Sequence, residues 1–190
     1  MEPVVAGNRD RIVIDAGDGI ELRTVSLADA PVVYAAIDRN RAHLRRWLGW
    51  LHDGFDEKEL TEFQRAREAD NASRVSLTTN IWLNGDLCGS IGLHAFNEKH
   101  RNTSVGYWID AAYEGRGIIT RACRAIVTAG FREYAMHRIE IRCATGNTRS
   151  AQIARRLGFI EEGTLREAEW LYDHWVDLRV FRMLEQDWRG

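Results

Sequence analysis

Between Ser104 and Tyr134 the chain reads SVGYWID, then AAYEGRGIIT, then RACRAIVTAGFREY, and this succession dictates the local chain path. Val105, Tyr107 and Ile109 alternate with Gly106 and Trp108 among strand-forming residues, which predicts a β-strand buried on at least one face. A glycine-bearing turn follows. From Gly117 onward Ile118, Ala122, Cys123, Ala125, Ile126, Ala129 and Phe131 recur at helical spacing, unbroken before Gly130. The unit is strand, loop, helix.

Its charge is anomalous, because Arg116, Arg121 and Arg124 stand at or within the first turns of the helix. That end carries partial positive charge and unpaired N–H groups, so cations belong there only if an anion lies among them. Gly115 and Gly117 let the backbone turn its N–H groups inward as a phosphate cradle. The plainer reading has the arginines pointing into solvent; the paired glycines favour an anion site. A P-loop is excluded, since no GK[ST] follows. A dinucleotide fold wants a small residue at Thr120 and a strand running straight into the first glycine, whereas Asp110 to Glu114 intervene. Glu140, about twenty residues on, alternates with Ile139 and Ile141 inside a strand, as a surface position would.

A length of 190 residues predicts one domain, 1–190, with residues 1–10 mobile. The net charge of −2 argues against general attraction to nucleic acid or membrane, and against a ribosome-binding role that needs a basic surface, though a local basic patch stays open. Cys88, Cys123 and Cys143 lie in apolar or β-like surroundings without C-x-x-C pairing, as reduced core thiols of a cytoplasmic protein do. A nucleophilic cysteine is the sharper alternative. No apolar run approaches a membrane span of roughly 18 residues, and no metal-ligand spacing occurs.

Along the rest of the chain, 11–15 and 20–24 predict a hairpin, and Ser26 to Asp29 resembles a capping box ahead of a helix through Val32 to Ile37. Asn40 to Trp50 predicts a helix whose Trp47 and Trp50 pack as core; Asp53 to Asp70 predicts a second, with Leu60, Phe63 and Ala66 on one side. Strands are expected over 75–83, 87–96, 102–109, 137–144, 159–166 and 176–185, and a helix over 147–157 stopped by Gly158.

Tyr113 to Thr120 after GYWID is similar to the acetyl-CoA pyrophosphate loop of the GNAT N-acetyltransferase superfamily, whose pattern is Gln or Arg, two residues, Gly, one residue, Gly or Ala. Glu114 and Ile119 depart from it, as they do in the branch of ribosomal-protein serine/alanine N-terminal acetyltransferases. That branch also shows a W-x-x-W segment, matched by Trp47 and Trp50, and N-x-x-S with a helix ending R-L-G-F, matched by Asn147 to Ser150 and Arg156 to Phe159. The likeness runs from about Ile20 to Trp188.

The resemblance implies an α/β GNAT fold: a central, mostly antiparallel mixed sheet that splays at the acetyl-CoA site, flanked by helices. It implies acetyl transfer from acetyl-CoA, without a metal, to a primary amine, foremost the N-terminal α-amine of a protein. It places Gly115, Arg116, Gly117, Ile118, Ile119, Thr120 and Arg121 around the phosphates and the main chain of Trp108 or Ile109 at the thioester carbonyl. Asn147 then holds the pantetheine arm, Ser150 protonates the thiolate, Glu169 is the base, and Trp47 and Trp50 wall the acceptor groove. Asn147 and Ser150 are equally readable as helix caps, and Glu161, Glu162 and His174 compete with Glu169. An α-amine of pKa about 8 costs only about 1.4 kcal/mol to deprotonate at pH 7 against about 4.6 for lysine, which favours the α-amine. A small-molecule or antibiotic amine, a longer acyl-CoA, and a non-catalytic acyl-CoA-binding module are the alternatives. The seven tryptophans suggest a homodimer.

Overall fold

The computed structural model describes residues 11–190, so the expectation for 1–10 lies outside the described residues. In chain order the elements are β1 (Val13–Gly17), β2 (Ile20–Thr24), α1 (Ala30–Arg39), α2 (Arg41–Leu44), α3 (Glu57–Ala72), β3 (Leu77–Leu83), β4 (Asp86–Asn97), β5 (Asn102–Ile109), α4 (Ile118–Arg132), β6 (Arg138–Ala144), α5 (Thr148–Arg156), β7 (Ile160–Leu171) and β8 (His174–Leu184). The strands form one sheet in the order β1-β2-β3-β4-β5-β6-β8-β7. Every neighbouring pair is antiparallel except β5 and β6, which the α4 crossover makes parallel.

Period-two alternation gives the sheet two apolar faces. On one, Ile91, Leu93, Val105, Ile139 and Ile141 pack with Ile118, Ala122 and Ile126 of α4. The helix lies close because Gly130 has no side chain: a Cβ there would stand 2.8 Å from Ile139 Cδ1 and 2.9 Å from Leu93 Cδ1. On the other face Trp82, Leu87 and Trp108 pack with Val33, Ile37 and Leu60 of α1 and α3.

The feature that positions the site is where β5 and β6 stop pairing. Their register covers Asn102–Val105 against Arg138–Ile141 only. Beyond it β5 continues to Ile109, still paired with β4, and β6 to Ala144, still paired with β8. The two arms part into a fork, the splay expected of the sheet.

Several expectations need correction. Only α2 is helical within Asn40 to Trp50: beyond Leu44 the chain breaks into turns, with Leu51 N–H on Leu48 O (3.2 Å), and tertiary bonds hold it there, Tyr172 Oη donating to Leu48 O (2.5 Å) and Leu51 O (3.1 Å) and Arg41 to Phe55 O (3.0 Å). α3 begins at Glu57, where Asp56 accepts the Glu59 N–H (2.8 Å), and its inner face is Leu60, Gln64 and Asn71 while Phe63 is exposed. The capping box does not close: Ser26 Oγ accepts from Ala28 N–H, but the Asp29 carboxylate is taken by Arg11. β7 runs on to Leu171 through a bulge at Glu167, so Glu169 lies in a strand opposite Val176.

Candidate active site

At the exit of β5, Asp110 is buried and ion-paired to Arg39 (2.6 Å), accepts the Ala112 N–H (2.9 Å), and neighbours Asn40, which accepts the Ala111 N–H (3.0 Å). Burial alone would raise the Asp110 carboxyl; the Ala112 N–H and the Arg39 guanidinium outweigh it and hold the group below its ordinary value. These bonds tie the loop to α1.

The loop then turns through Gly115 (φ +76°) and Gly117 (φ +72°), both left-handed. Gly117 is the N-cap of α4 without a side-chain cap, and the helix's first backbone bond runs from Arg121 N–H to Gly117 O (3.2 Å). The N–H groups of Ile118, Ile119 and Thr120 are therefore free for an anion, and a side chain on Gly115 would meet nothing within 4 Å. The geometry fits a pyrophosphate. The side chains of Ile118 and Ile119 are core, so only their main chain faces this opening. Arg121 folds back onto Arg116 O (3.0 Å) and lies 3.5 Å from Asp18, Arg116 lies over the Tyr113 ring, and Arg124 turns away to Gly190 O (2.8 Å). Glu114 pairs with Arg149 and lies 3.4 Å from His43, so it clamps the loop to the start of α5.

Within the fork, backbone direction decides between the two main-chain candidates. Asp110 N–H bonds Cys88 O (2.8 Å) in β4; strand alternation then aims the Trp108 N–H at β4 and the Ile109 and Tyr107 N–H groups at the fork. The Trp108 side chain packs on the α1/α3 face. Across the gap Tyr107 Oη meets Ser150 Oγ at 2.8 Å, with Ser150 buried. Burial, chiefly, pushes the Tyr107 phenol far above its ordinary value, so it remains a neutral hydroxyl. Asn147 is the cap of α5, its Oδ1 accepting the Ser150 N–H (3.1 Å), whereas the Ser150 hydroxyl is committed to Tyr107. Tyr107 is the residue sequence reading missed; its alternation with Val105 marks it as core, and only a hydroxyl on a buried ring signals more.

Residues 44–55 span the fork on the α1/α3 face. Leu44, Leu51 and Phe55 pack with Trp82, Leu87 and Trp108 on one arm; Tyr172 and Trp170 O, 3.2 Å from where a Gly49 Cβ would lie, hold the segment to the β7–β8 hairpin. Trp47 and Trp50 are not a core pair. Trp47 is half-buried against Gly146, and Trp50 is 43 % exposed, edge-on to Phe55 at 5.4 Å.

Among the competing carboxylates, Glu161 pairs with Arg155 (2.7 Å) and Glu162 with Arg138 (2.5 Å), whose hydrogen bond holds Glu162 below its ordinary value. His174 is exposed beside Asp173 (2.6 Å). Glu169 has no ion pair among the described residues, and burial raises its carboxyl. All three cysteines are free and buried, and burial raises each thiol, Cys88 to about 11, so none is a ready nucleophile. No group of metal ligands and no helix long and apolar enough to cross a membrane occurs among the described residues. A local basic patch does exist: Arg74, Arg121, Arg124, Arg132 and Arg189 line a groove of about 500 Å³ between β1 and α4.

A forked mixed sheet with a glycine-turned helix N-terminus at its opening defines an acetyltransferase, and residues 20–160 match the family described as "Acetyltransferase (GNAT) domain": the chain belongs to that family. It is an acetyl-CoA-dependent N-acetyltransferase. It is 31 % identical over 176 residues to the putative ribosomal N-acetyltransferase YdaF of Bacillus subtilis (90 % of this chain, 94 % of the relative). It is 26 % identical over 168 residues to the ribosomal-protein-serine acetyltransferase of Escherichia coli (88 % and 94 %). The crystal structure of RimL, a ribosomal L7/L12 alpha-N-protein acetyltransferase in complex with coenzyme A, has a like fold, with TM-score 0.87 at 23 % identity, covering 90 % of this chain and 97 % of that one.

Proposed function

We propose that the chain acetylates the N-terminal α-amine of a protein, a ribosomal protein foremost, at the fork between β5 and β6. The observation that carries the site is the convergence there of the Ile109 N–H with the Tyr107–Ser150 pair, beside the α4 cradle. The cradle's free N–H groups hold the pyrophosphate, with Arg116 and Arg121 at its edge. The Ile109 N–H polarises the thioester carbonyl, the kind of preorganised donor that commonly supplies the largest catalytic contribution. Ser150, held by Tyr107, gives the departing thiolate its proton, and Asn147 orients Ser150. Trp47 and Trp50 flank the acceptor, and the raised, unpaired Glu169 meets its ammonium as counter-ion. The acceptor class is supported by the names of the relatives and by the low cost of neutralising an α-amine, about 1.4 kcal/mol at pH 7.

Thiol release with acetyl-CoA against N-terminal peptides, lysine peptides and small amines tests the acceptor. Turnover fastest on α-amine peptides is expected. Faster release with a small amine overturns the protein acceptor in favour of a small-molecule one, and longer acyl-CoA donors in the same assay test the acyl chain.

A further inference from the structure

On the α1/α3 face, β4 and β5 set two glycines opposite each other, Gly92 and Gly106, and one imidazole lies across both. A Cβ on Gly92 would stand 2.6 Å from His94 Cε1, and one on Gly106 3.1 Å from Cδ2 and 3.2 Å from Nε2. Glycine inside a strand is unfavourable against alanine, and here both vacated faces hold the His94 ring. Gly106 is the first residue of β5 beyond its last rung with β6, so the ring stands at the root of the fork, on the side spanned by residues 44–55.

His94 is mostly buried, and burial first, then the Arg67 charge on α3, hold its imidazole below its ordinary value; no hydrogen bond contributes. Arg67 is paired with Asp70 (2.8 Å), and β3, β4 and β5 bring no other charge against the ring. The imidazole is thus neutral at pH 7 with its ring nitrogens unengaged. From the ring's rung a row of polar atoms without partners runs along β3, Thr78 Oγ1, Asn80 Nδ2 and Trp82 Nε1, and α3 adds Gln64 Oε1, all on side chains more than nine-tenths buried. Thr78 shares the rung of Gly92, and Asn80 the next, with Ser90, so the set begins directly beside the ring. Buried donors and acceptors of this kind are strongly unfavourable unless met, and ordered water is the usual partner of such groups.

We propose that His94, through ordered water, takes the proton the acceptor ammonium must lose, and discharges it into water along the row of polar atoms that starts at Thr78 and Asn80. The inference rests on the fork reading above and moves the proton from Glu169 to β4, leaving Glu169 as the counter-ion that holds the ammonium. The ammonium gives one proton to neutral His94. The freed nitrogen lone pair forms the C–N bond, the C–S pair goes to sulfur, and the thiolate takes the Ser150 proton. The second amine proton restores Ser150, so one proton leaves per turnover, by way of the imidazolium.

The test is the pH dependence, from pH 6 to 10, of acetylation of an N-terminal peptide by wild type, His94→Gln, His94→Asn and Glu169→Gln, with acetyl-CoA affinity by calorimetry for each. His94→Gln should lose on the order of 10²-fold in kcat at pH 7 and recover to within about threefold of wild type at pH 10, where the α-amine is already neutral. Glu169→Gln should raise the acceptor KM without that recovery. An equal loss by both His94 variants at pH 7 and 10 makes the ring a packing residue and overturns the proposal, as does a pH-dependent recovery found only in Glu169→Gln. Unchanged acetyl-CoA affinity shows that the His94 variants fold. Failure of wild type to bind acetyl-CoA would instead overturn the cradle and fork reading itself.

Discussion

Tyr107 Oη and Ser150 Oγ meet at 2.8 Å, joining β5 to α5 across the gap where β5 and β6 part. The phenol is kept neutral by burial, so the pair is a fixed source of one hydroxyl proton facing the fork. Ser150→Ala should therefore lower kcat by on the order of 10²-fold while leaving acetyl-CoA affinity nearly intact. Tyr107→Phe should lower kcat less, because Ser150 keeps its proton and loses only its orientation. Thiol-release kinetics beside calorimetry decide it: equal losses of kcat and affinity would make Ser150 a structural residue of α5.

Gly117 holds a left-handed conformation at the N-cap of α4. A β-branched residue there costs roughly 1–3 kcal/mol, so the loop relaxes and the cradle N–H groups no longer converge. Gly117→Val should weaken acetyl-CoA binding by about tenfold or more, and Gly115→Asn, although tolerant of positive φ, should weaken it as well by putting a side chain into the open space of the cradle. Equal affinity of Gly117→Val and wild type would remove the cradle from the site.

Asp110 links the loop to α1 and carries a depressed pKa, so its sign is that of a stabilising carboxylate: the contribution is full above the unfolded value near 3.8 and disappears as pH falls through the folded one. Asp110→Asn should lose about 1–3 kcal/mol at pH 7, and the difference from wild type should vanish in strong acid. Denaturant titrations at pH 7 and pH 2.5 measure both; a pH-independent difference would mean that loop packing, not charge, is what the carboxylate supplies.

Trp170 and Trp175 stack edge to face at 5.1 Å, 49 % and 54 % exposed, on the outermost hairpin of the sheet. An apolar cluster of this kind on an edge strand suits an interface, and a second copy of the chain is the expected occupant. Sedimentation should show a dimer that Trp175→Glu converts to monomer; wild type that stays monomeric at high concentration would exclude it.

Local chemistry was legible in the linear chain. The period-two stretch of β5, the left-handed glycines and the 3.6-residue period of α4 each arise from neighbouring residues, so the cradle could be read before any fold was known. The stop of α5 at Gly158 (φ +79°) is of the same kind. Contacts between distant residues could not be read that way. The segment around Trp47 and Trp50 has a helical pattern, yet it runs in turns that Tyr172, 121 positions beyond Leu51, holds to the far hairpin. Tyr107 alternates like a core residue, and its hydroxyl gains meaning only from Ser150, 43 positions away, once the α4 crossover brings α5 beside β5. Glu161, Glu162 and Glu169 are equivalent as letters, and only the arginines folded against the first two set the third apart. The sequence by itself determined the helix end that can receive a phosphate, because turn and helix preferences are short-range. The tertiary structure alone decided the fork, the Ile109 N–H that faces it and the ring over Gly92 and Gly106, because these depend on strand pairing, which no local preference specifies.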